Sequence, residues 1–353
     1  MPDEATALIP LRLYDNSRLS DYKKCPRYFL LRHCYNWTPT RKRLPLIFGS
    51  SWHAAMDVIW RNYAAPKQQF ERVIAEAYAA FIATWQENGM PHPDELSPDE
   101  IDEYTPRIPQ IAEEMLYNYI EARQYIFKDP TFKLIDVEQP FAVPLDPDNE
   151  SLWYVGRLDK VFELRNKVLF GEHKTTTSYR KSPTVPFRSE YLDSFSLSSQ
   201  IDGYLYKQLM EYGDKAGGVY VDAALVHKTV HDGFTIIPID KKFAQIEAWL
   251  WTAHQWIADI ERNKAVLIER SALDLNYLAA FPQNTGSCGN FAGCDFADIC
   301  RGVANPAKLE EVPMGFKIEH WSPFDAMKLE AIGFTPDRAG EPPRLKEHLI
   351  SEG

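Results

Sequence analysis

Apolar residues recur at helical spacing over three stretches in the first third of the chain: SWHAAMDVIWRNYAAP from Ser51, QQFERVIAEAYAAFIATWQENG, and IPQIAEEMLYNYIEARQYI. Between the last two, MPHPDELSPDEIDEYTPR is rich in proline and acid and reads as a linker. Upstream, NSRLSDYKKCPRYFLLRHCYNW predicts short helices, with Ser17 or Ser20 as an N-cap and Pro26 as a break or a fresh start. A basic loop, RKRLPLIFGS, then leads to Gly49. After the helical stretches the character changes. FKLIDVEQPFAVPL, LWYVGRLDKVFEL and KVLFGEHK carry β-branched and aromatic residues at strand spacing, and a tight turn at Arg165 and Asn166 joins the last two. The loop KSPTVPFRSEYLDSF precedes a helix, LSSQIDGYLYKQLMEYG, that ends near Gly213. A strand GGVYVDAALVHK, a short strand GFTIIPI and the long helix KKFAQIEAWLWTAHQWIADIERN follow. This order, strands then helix then strand after a helical lead, predicts an α/β protein with a mixed sheet.

The chain has 353 residues, enough for one large elaborated domain or for a core with an inserted helical domain. Its 45% hydrophobic content supports a sizeable core. No apolar run approaches the roughly 18 residues of a membrane span, and the charged opening MPDEATALIP lacks a secretory apolar region, so a soluble, cytoplasmic protein is expected. A net charge of −11 argues against a protein that coats nucleic acid through many phosphate contacts. It leaves room for an enzyme that binds nucleic acid in one groove, with part of the negative charge being carboxylates for metal ions.

Candidate chemistry gathers where the predicted hairpin closes. Residues two apart on a strand share a face, so Val168, Phe170, Glu172 and Lys174 lie on one side, as do Val155, Arg157, Asp159 and Val161 on the preceding strand. The hairpin brings Asp159 beside Glu172. Neighbouring carboxylates repel unless a divalent cation sits between them, and Mg²⁺ suits oxygen ligands and phosphate partners. Lys174 would orient or help deprotonate an attacking water, or neutralise phosphate charge. An acid-x-Lys triplet is a weak signal by itself, since Asp21–Lys23 and Asp240–Lys242 also form one; its place at the end of an apolar strand strengthens it. Gln200 and Tyr204 share a helical face and could hydrogen-bond a phosphate or a base, although a polar helix rim reads the same way. His53 could ligate a metal or simply be packed.

Five cysteines, an odd number, argue against a disulfide framework. Cys288, Cys294 and Cys300 stand at C-x5-C-x5-C spacing among glycines. Three thiolates need a fourth ligand, for which Cys25 is the first choice and Cys34 the second. Four thiolates suit Zn²⁺ or an iron–sulfur cluster; the absence of paired short knuckles favours [4Fe–4S]. Such a centre would staple the beginning of the chain to its end.

Taken together, CPRYFLLRHCYNW, GSSWH, GRLDKVFEL, GEHKTT, QIDGYLY and the cysteine spacing resemble, in order, the RecB-type nuclease domains of the PD-(D/E)XK superfamily, nearest the AddB-like, CRISPR-associated and phage exonucleases that carry iron–sulfur clusters. The resemblance implies a restriction-endonuclease-like core and a Mg²⁺- or Mn²⁺-dependent DNA exonuclease acting on single strands or duplex ends, in recombination, repair or phage DNA processing, with a helicase or recombination protein as partner. It makes His53, Asp159 and Glu172 metal ligands, together with the backbone carbonyl of His173. Lys174 becomes the catalytic lysine, Gln200 and Tyr204 the Q-x3-Y pair, and Cys25, Cys288, Cys294 and Cys300 the cluster ligands. The implied organisation is an N-terminal segment 1–50 with the first cluster cysteine, a helical region 51–130, the nuclease core 131–265, a cysteine segment 266–302 and a tail 303–353. Two rivals remain: a non-catalytic DNA-binding recombination or repair subunit with the same fold, and an iron–sulfur electron-transfer protein.

Overall fold

The computed structural model describes residues 12–146, 151–182, 184–271, 273, 275–290, 293–335 and 344–345. The opening MPDEATALIP and most of the tail beyond residue 335 lie outside the described residues. In chain order the elements are β1 (Arg12–Tyr14), α1 (Asn16–Lys24), α2 (Pro26–Phe29), β2 (Trp37–Pro39), α3 (Leu44–Arg61), α4 (Phe70–Glu87), α5 (Pro98–Tyr104) and α6 (Pro109–Phe127). Next come β3 (Lys133–Pro144), β4 (Leu152–Leu164), β5 (Lys167–Thr176), α7 (Ser189–Ser194), α8 (Ser199–Tyr212), β6 (Ala216–Leu225) and β7 (Phe234–Ile239). The chain continues through α9 (Phe243–Ser271), α10 (Ala297–Gly302), β8 (Phe316–Ile318) and α11 (Pro323–Ala326). None of the described helices is long and apolar enough to cross a membrane.

The chain forms two compact units: Met1–Arg41 with Pro140–Arg157 and Phe243–Gly353, and Lys42–Gln139 with Leu158–Lys242. In the second unit the end of β4 runs antiparallel to β5, β5 runs parallel to β6, and β6 antiparallel to β7, which makes the sheet mixed. Arg165 and Asn166 both take positive φ, 51° and 61°, the two-residue turn that matches strand twist. One face of this sheet packs under α3, α4 and α6, through a core that includes Phe48, Trp52, Trp60, Phe81, Met115 and Phe162. On the other side lies α8, where Gln208 donates to the carbonyls of Val168 and Gly218, each at 3.0 Å, and ties the helix to β5 and β6. The architecture is α/β with a central mixed sheet flanked by helices, as expected of a restriction-endonuclease-like fold.

Several boundaries differ from the sequence reading. Helix α3 begins at Leu44 rather than at Ser51, because Pro45 suits a first helical turn and Gly49 is carried inside the helix. A Cβ there would meet only Thr175 Oγ1 at 3.8 Å, so Gly49 marks no break. Consequently His53 sits in mid-helix. The N-cap of α1 is Asp15, whose carboxylate accepts from Arg18 N at 2.7 Å, and neither Ser17 nor Ser20 fills that place. The acidic linker contains α5, started by a reciprocal box between Ser97 and Glu100. The loop before α8 likewise contains α7.

In the first unit, β1 runs parallel to the start of β4, with Leu13 opposite Trp153. Helix α9 places Trp249 edge-on to Tyr154, centroids 5.3 Å apart, while His254 Nε2 meets the Leu145 carbonyl at 2.7 Å. In the tail, β8 pairs antiparallel with β2. Gly156 stands two residues before Leu158 on β4, and a Cβ there would lie 2.5 Å from two ring carbons of the buried Phe141. Gly156→Ala should therefore lower stability by about 1–3 kcal/mol through overpacking, measurable as a lower denaturant midpoint with an unchanged slope.

Candidate active site

Six side chains, those of His53, Asp159, Glu172, Lys174, Gln200 and Tyr204, converge at the end of the β4–β5 hairpin, all within the second unit. Asp159 and Glu172 are 8% and 1% exposed, so both carboxyls are largely out of water. Asp159 Oδ2 accepts the backbone N–H of His173 at 2.7 Å, and Oδ1 lies 3.4 Å from His53 Nδ1. The other ring nitrogen of His53, Nε2, is 3.1 Å from the His173 carbonyl oxygen. Helix α3 thus delivers His53 to the peptide group of the residue that follows Glu172.

Glu172 Oε1 accepts from Lys174 Nζ and, at 2.9 Å, from Gln200 Nε2. Gln200 Oε1 accepts from Lys174 Nζ at 3.1 Å, and Gln200 Nε2 also reaches Tyr204 Oη at 2.9 Å. The four-residue spacing on α8 therefore sets Tyr204 beside Gln200, and Gln200 meets the β5 carboxylate directly. Glu172 Oε2 is different: it is buried and has no hydrogen-bond partner among the described residues. A buried carboxylate oxygen without a donor is unfavourable by several kcal/mol unless a cation meets it.

The electrostatics follow from this crowding. Burial and the nearby Asp159 charge push the Glu172 carboxyl above its usual range. Burial opposes ionisation of Asp159 too, but His53 in contact with it holds it below the usual carboxylate value. For His53, burial favours the neutral ring, yet Asp159 outweighs that and raises it to about 9. Lys174 is pulled down by burial but lifted further by Glu172 and Asp159, so it stands as an ammonium ion.

Two acidic residues here escaped the sequence reading. His53, Glu138 and Asp159 each present a ligand atom, all within 4.8 Å of one another, a group able to hold a metal ion. Glu138 lies on β3 with φ of 60°, outside the strand's alternation, so periodicity gives no cue to it. Asp57 is one helical turn after His53 on α3, and burial, then Glu138 and Asp159, raise its carboxyl to about 7. The i, i+4 spacing from His53 was the available signal.

Residues 16–301 of the chain match the family model described as the PD-(D/E)XK nuclease superfamily. The chain belongs to that superfamily. Its members are nucleases that use divalent metal ions, and DNA is the substrate class the family implies. No curated protein sequence matches the chain. Among solved structures it is similar to a protein described as "Putative exonuclease" from Eubacterium rectale, at 14% identity and TM-score 0.45, covering 88% of this chain and 91% of that one. It is also similar to the protein SSO0001, at 15% identity and TM-score 0.21, covering 44% of this chain and 68% of that one.

The first unit of this PD-(D/E)XK protein holds a second cluster. Cys25, Cys288, Cys294 and Cys300 line one cavity of about 130 Å³, alongside Tyr28, Asn284 and Phe296. Cys34 is not in its lining, and all five cysteines are free thiols. The backbone N–H of Asn284 donates to Cys25 Sγ at 3.3 Å. Arg27, 4% exposed, donates through Nε to the Phe281 carbonyl at 3.1 Å, while its buried Nη1 has no partner among the described residues. Burial lowers the Arg27 guanidinium, and the sulfurs of Cys300 and Cys25 act to raise it. A donor to the Cys25 sulfur and a buried cation beside Cys25 and Cys300 suit a centre built from thiolates.

Proposed function

We propose that this superfamily member is a Mg²⁺- or Mn²⁺-dependent DNA exonuclease of the RecB/AddB type, acting on single strands or duplex ends. The observation that carries the reading is Glu172, buried with one oxygen lacking a donor, beside Asp159, His53 and Lys174. On this reading Asp159, Glu172, His53 and the His173 carbonyl hold the cation, with Glu138 as a further carboxylate. A bound divalent ion supplies Lewis-acid stabilisation of charge on the scissile phosphate. Lys174, an ammonium ion held by Glu172 and Gln200, is suited to neutralising phosphate oxygens rather than to taking a proton. Gln200 and Tyr204 keep that ammonium aimed by their mutual hydrogen bonds.

The four cysteines, Arg27 and the Asn284 amide support a [4Fe–4S] centre, with structural Zn²⁺ as the other group that four thiolates accept. Such a centre supplies a cross-link between the start of the chain and residues 288–300, and the reading assigns it no electron-transfer role. Residues 131–265 act as the nuclease core and 51–130 as its helical region, with 1–50 and 266–302 carrying the cysteines. Arg41–Arg43 and Tyr179–Lys181 are basic segments suited to guiding a strand. A cytoplasmic setting beside a helicase or recombination protein fits this chemistry. The test is incubation of anaerobically purified protein with end-labelled single- and double-stranded DNA, with Mn²⁺ and with EDTA. Metal-dependent release of short products is expected; intact DNA under every condition would leave the non-catalytic DNA-binding reading in its place.

A further inference from the structure

The active site uses one face of the β4–β5 hairpin, yet the opposite face carries a buried polar assembly that those roles leave unused. Lys160, Asp222 and Arg123 are 2%, 2% and 3% exposed, and His173 is buried with them. Lys160 Nζ lies 2.7 Å from His173 Nε2 and 3.2 Å from Asp222 Oδ2, and 3.8 Å from the centroid of the Trp60 ring. Asp222 in turn accepts from Tyr119 Oη at 2.6 Å and from Arg123 Nη2 at 2.5 Å. Trp60 Nε1 closes the chain by donating to Tyr119 Oη at 2.8 Å.

Two cations against one carboxylate, all withdrawn from water, are a poor way to stabilise a core, since well-packed apolar residues do so better. The arrangement does have a geometric consequence. An ammonium group can only donate, and Lys160 Nζ lies 2.7 Å from Nε2 and 3.3 Å from Nδ1 of His173, so it meets the ring as a donor and restricts the ring's orientation. The peptide of that same residue lies in the active site: its N–H donates to Asp159 and its carbonyl meets His53. The lysine stem also runs directly over Gly171, its cross-strand partner. A Cβ at Gly171 would lie 2.2 Å from Lys160 Cε and 2.4 Å from Cγ. The glycine before Glu172 is therefore what lets Lys160 reach the His173 ring.

We propose that Lys160, anchored by Asp222 and laid over Gly171, is a positioning residue that clamps the His173 imidazole and thereby fixes the His173 amide and carbonyl against Asp159 and His53. This rests on the reading of Asp159, Glu172 and Lys174 as the nuclease centre. Lys160 touches neither substrate nor cation; it acts through His173, as outer groups orient the ligands of metal sites.

The test compares wild type with Lys160→Met, Lys160→Arg and Gly171→Ala, with Asp159→Ala as control. Five quantities are read: kcat and KM on single-stranded DNA, the Mn²⁺ concentration for half-maximal rate, Mn²⁺ binding by calorimetry without DNA, and thermal melting. Lys160→Met should lower kcat by roughly 10- to 100-fold and weaken Mn²⁺ binding, with KM for DNA unchanged. Lys160→Arg, which keeps a cationic donor, should recover part of the loss. Gly171→Ala keeps the ammonium but displaces its stem, so it should shift Mn²⁺ dependence in the same direction, and it decides the matter if Lys160→Met does not fold. Folded Lys160→Met or Gly171→Ala protein with wild-type Mn²⁺ binding and kcat, beside an inactive Asp159→Ala, would overturn the clamp alone. Full cleavage by Asp159→Ala would instead overturn the nuclease-centre reading beneath it.

Discussion

Asp159→Ala and Lys174→Ala should each reduce DNA cleavage by about 10²- to 10³-fold or more, while the proteins melt close to wild type. The separation of the two effects follows from where the charges sit. Asp159 shares its surroundings with Glu172, Glu138 and Asp57, and its charge helps to push the carboxyls of Glu172 and Asp57 upward. Removing it relieves repulsion among buried acids as it deletes a hydrogen bond to the His173 N–H, so the two changes in stability oppose each other. Lys174 has 32% of its side chain exposed, and its partner Glu172, whose carboxyl is already pushed upward by burial and by Asp159, takes up a proton rather than staying as an unpaired buried charge once the lysine is gone. Glu172 also keeps its 2.9 Å bond from Gln200 when the lysine is gone. The expected picture is loss of function in a folded protein: end-labelled DNA stays intact in Mn²⁺ while circular dichroism and the melting curve hold. Two folded variants that cut at the wild-type rate would defeat the assignment of this site.

The convergence behind that prediction was legible because it depends on period-two alternation and one tight turn. Once Arg165 and Asn166 are read as the turn, Asp159 and Glu172 fall at the same level of the hairpin, and Lys174 lies on the Glu172 face. What was not legible depends on packing rather than period. Gly49 resembled a loop residue, yet it is accommodated inside α3, where a Cβ would make only an ordinary van der Waals contact with Thr175. Glu138 departs from strand geometry through its positive φ, so alternation could not assign it a face. Lys160 and Asp222 carry no cue in the strand period; the cross-sheet contacts to His173, Tyr119 and Arg123 reveal that they are buried partners. The cysteines occupy a middle ground. Their spacing indicated a cluster, but the choice between Cys25 and Cys34 needed the fold, which puts Cys25 at the cavity.

That cavity yields the second large effect. Cys294→Ser should abolish visible absorbance and bound iron in anaerobically purified protein and lower its stability by about 5 kcal/mol, seen as a fall of roughly 10 °C or more in melting temperature. The magnitude comes from chain entropy. Cys288 follows Cys25 by 263 residues, and a cross-link closing so long a loop removes more freedom from the unfolded chain than a local bridge would. Local packing around the four sulfurs is too thin to replace it: the small cluster of Leu31, Trp37, Phe296 and Ile299 lies beside them, with Cys294 only partly buried against it. Cys34→Ser serves as the control, because Cys34 is outside the cavity lining, and it should keep both colour and stability. A colourless wild-type protein containing zinc would replace the iron–sulfur centre with a zinc one. Wild-type protein holding neither metal, with Cys294→Ser melting like its parent, would remove the staple altogether.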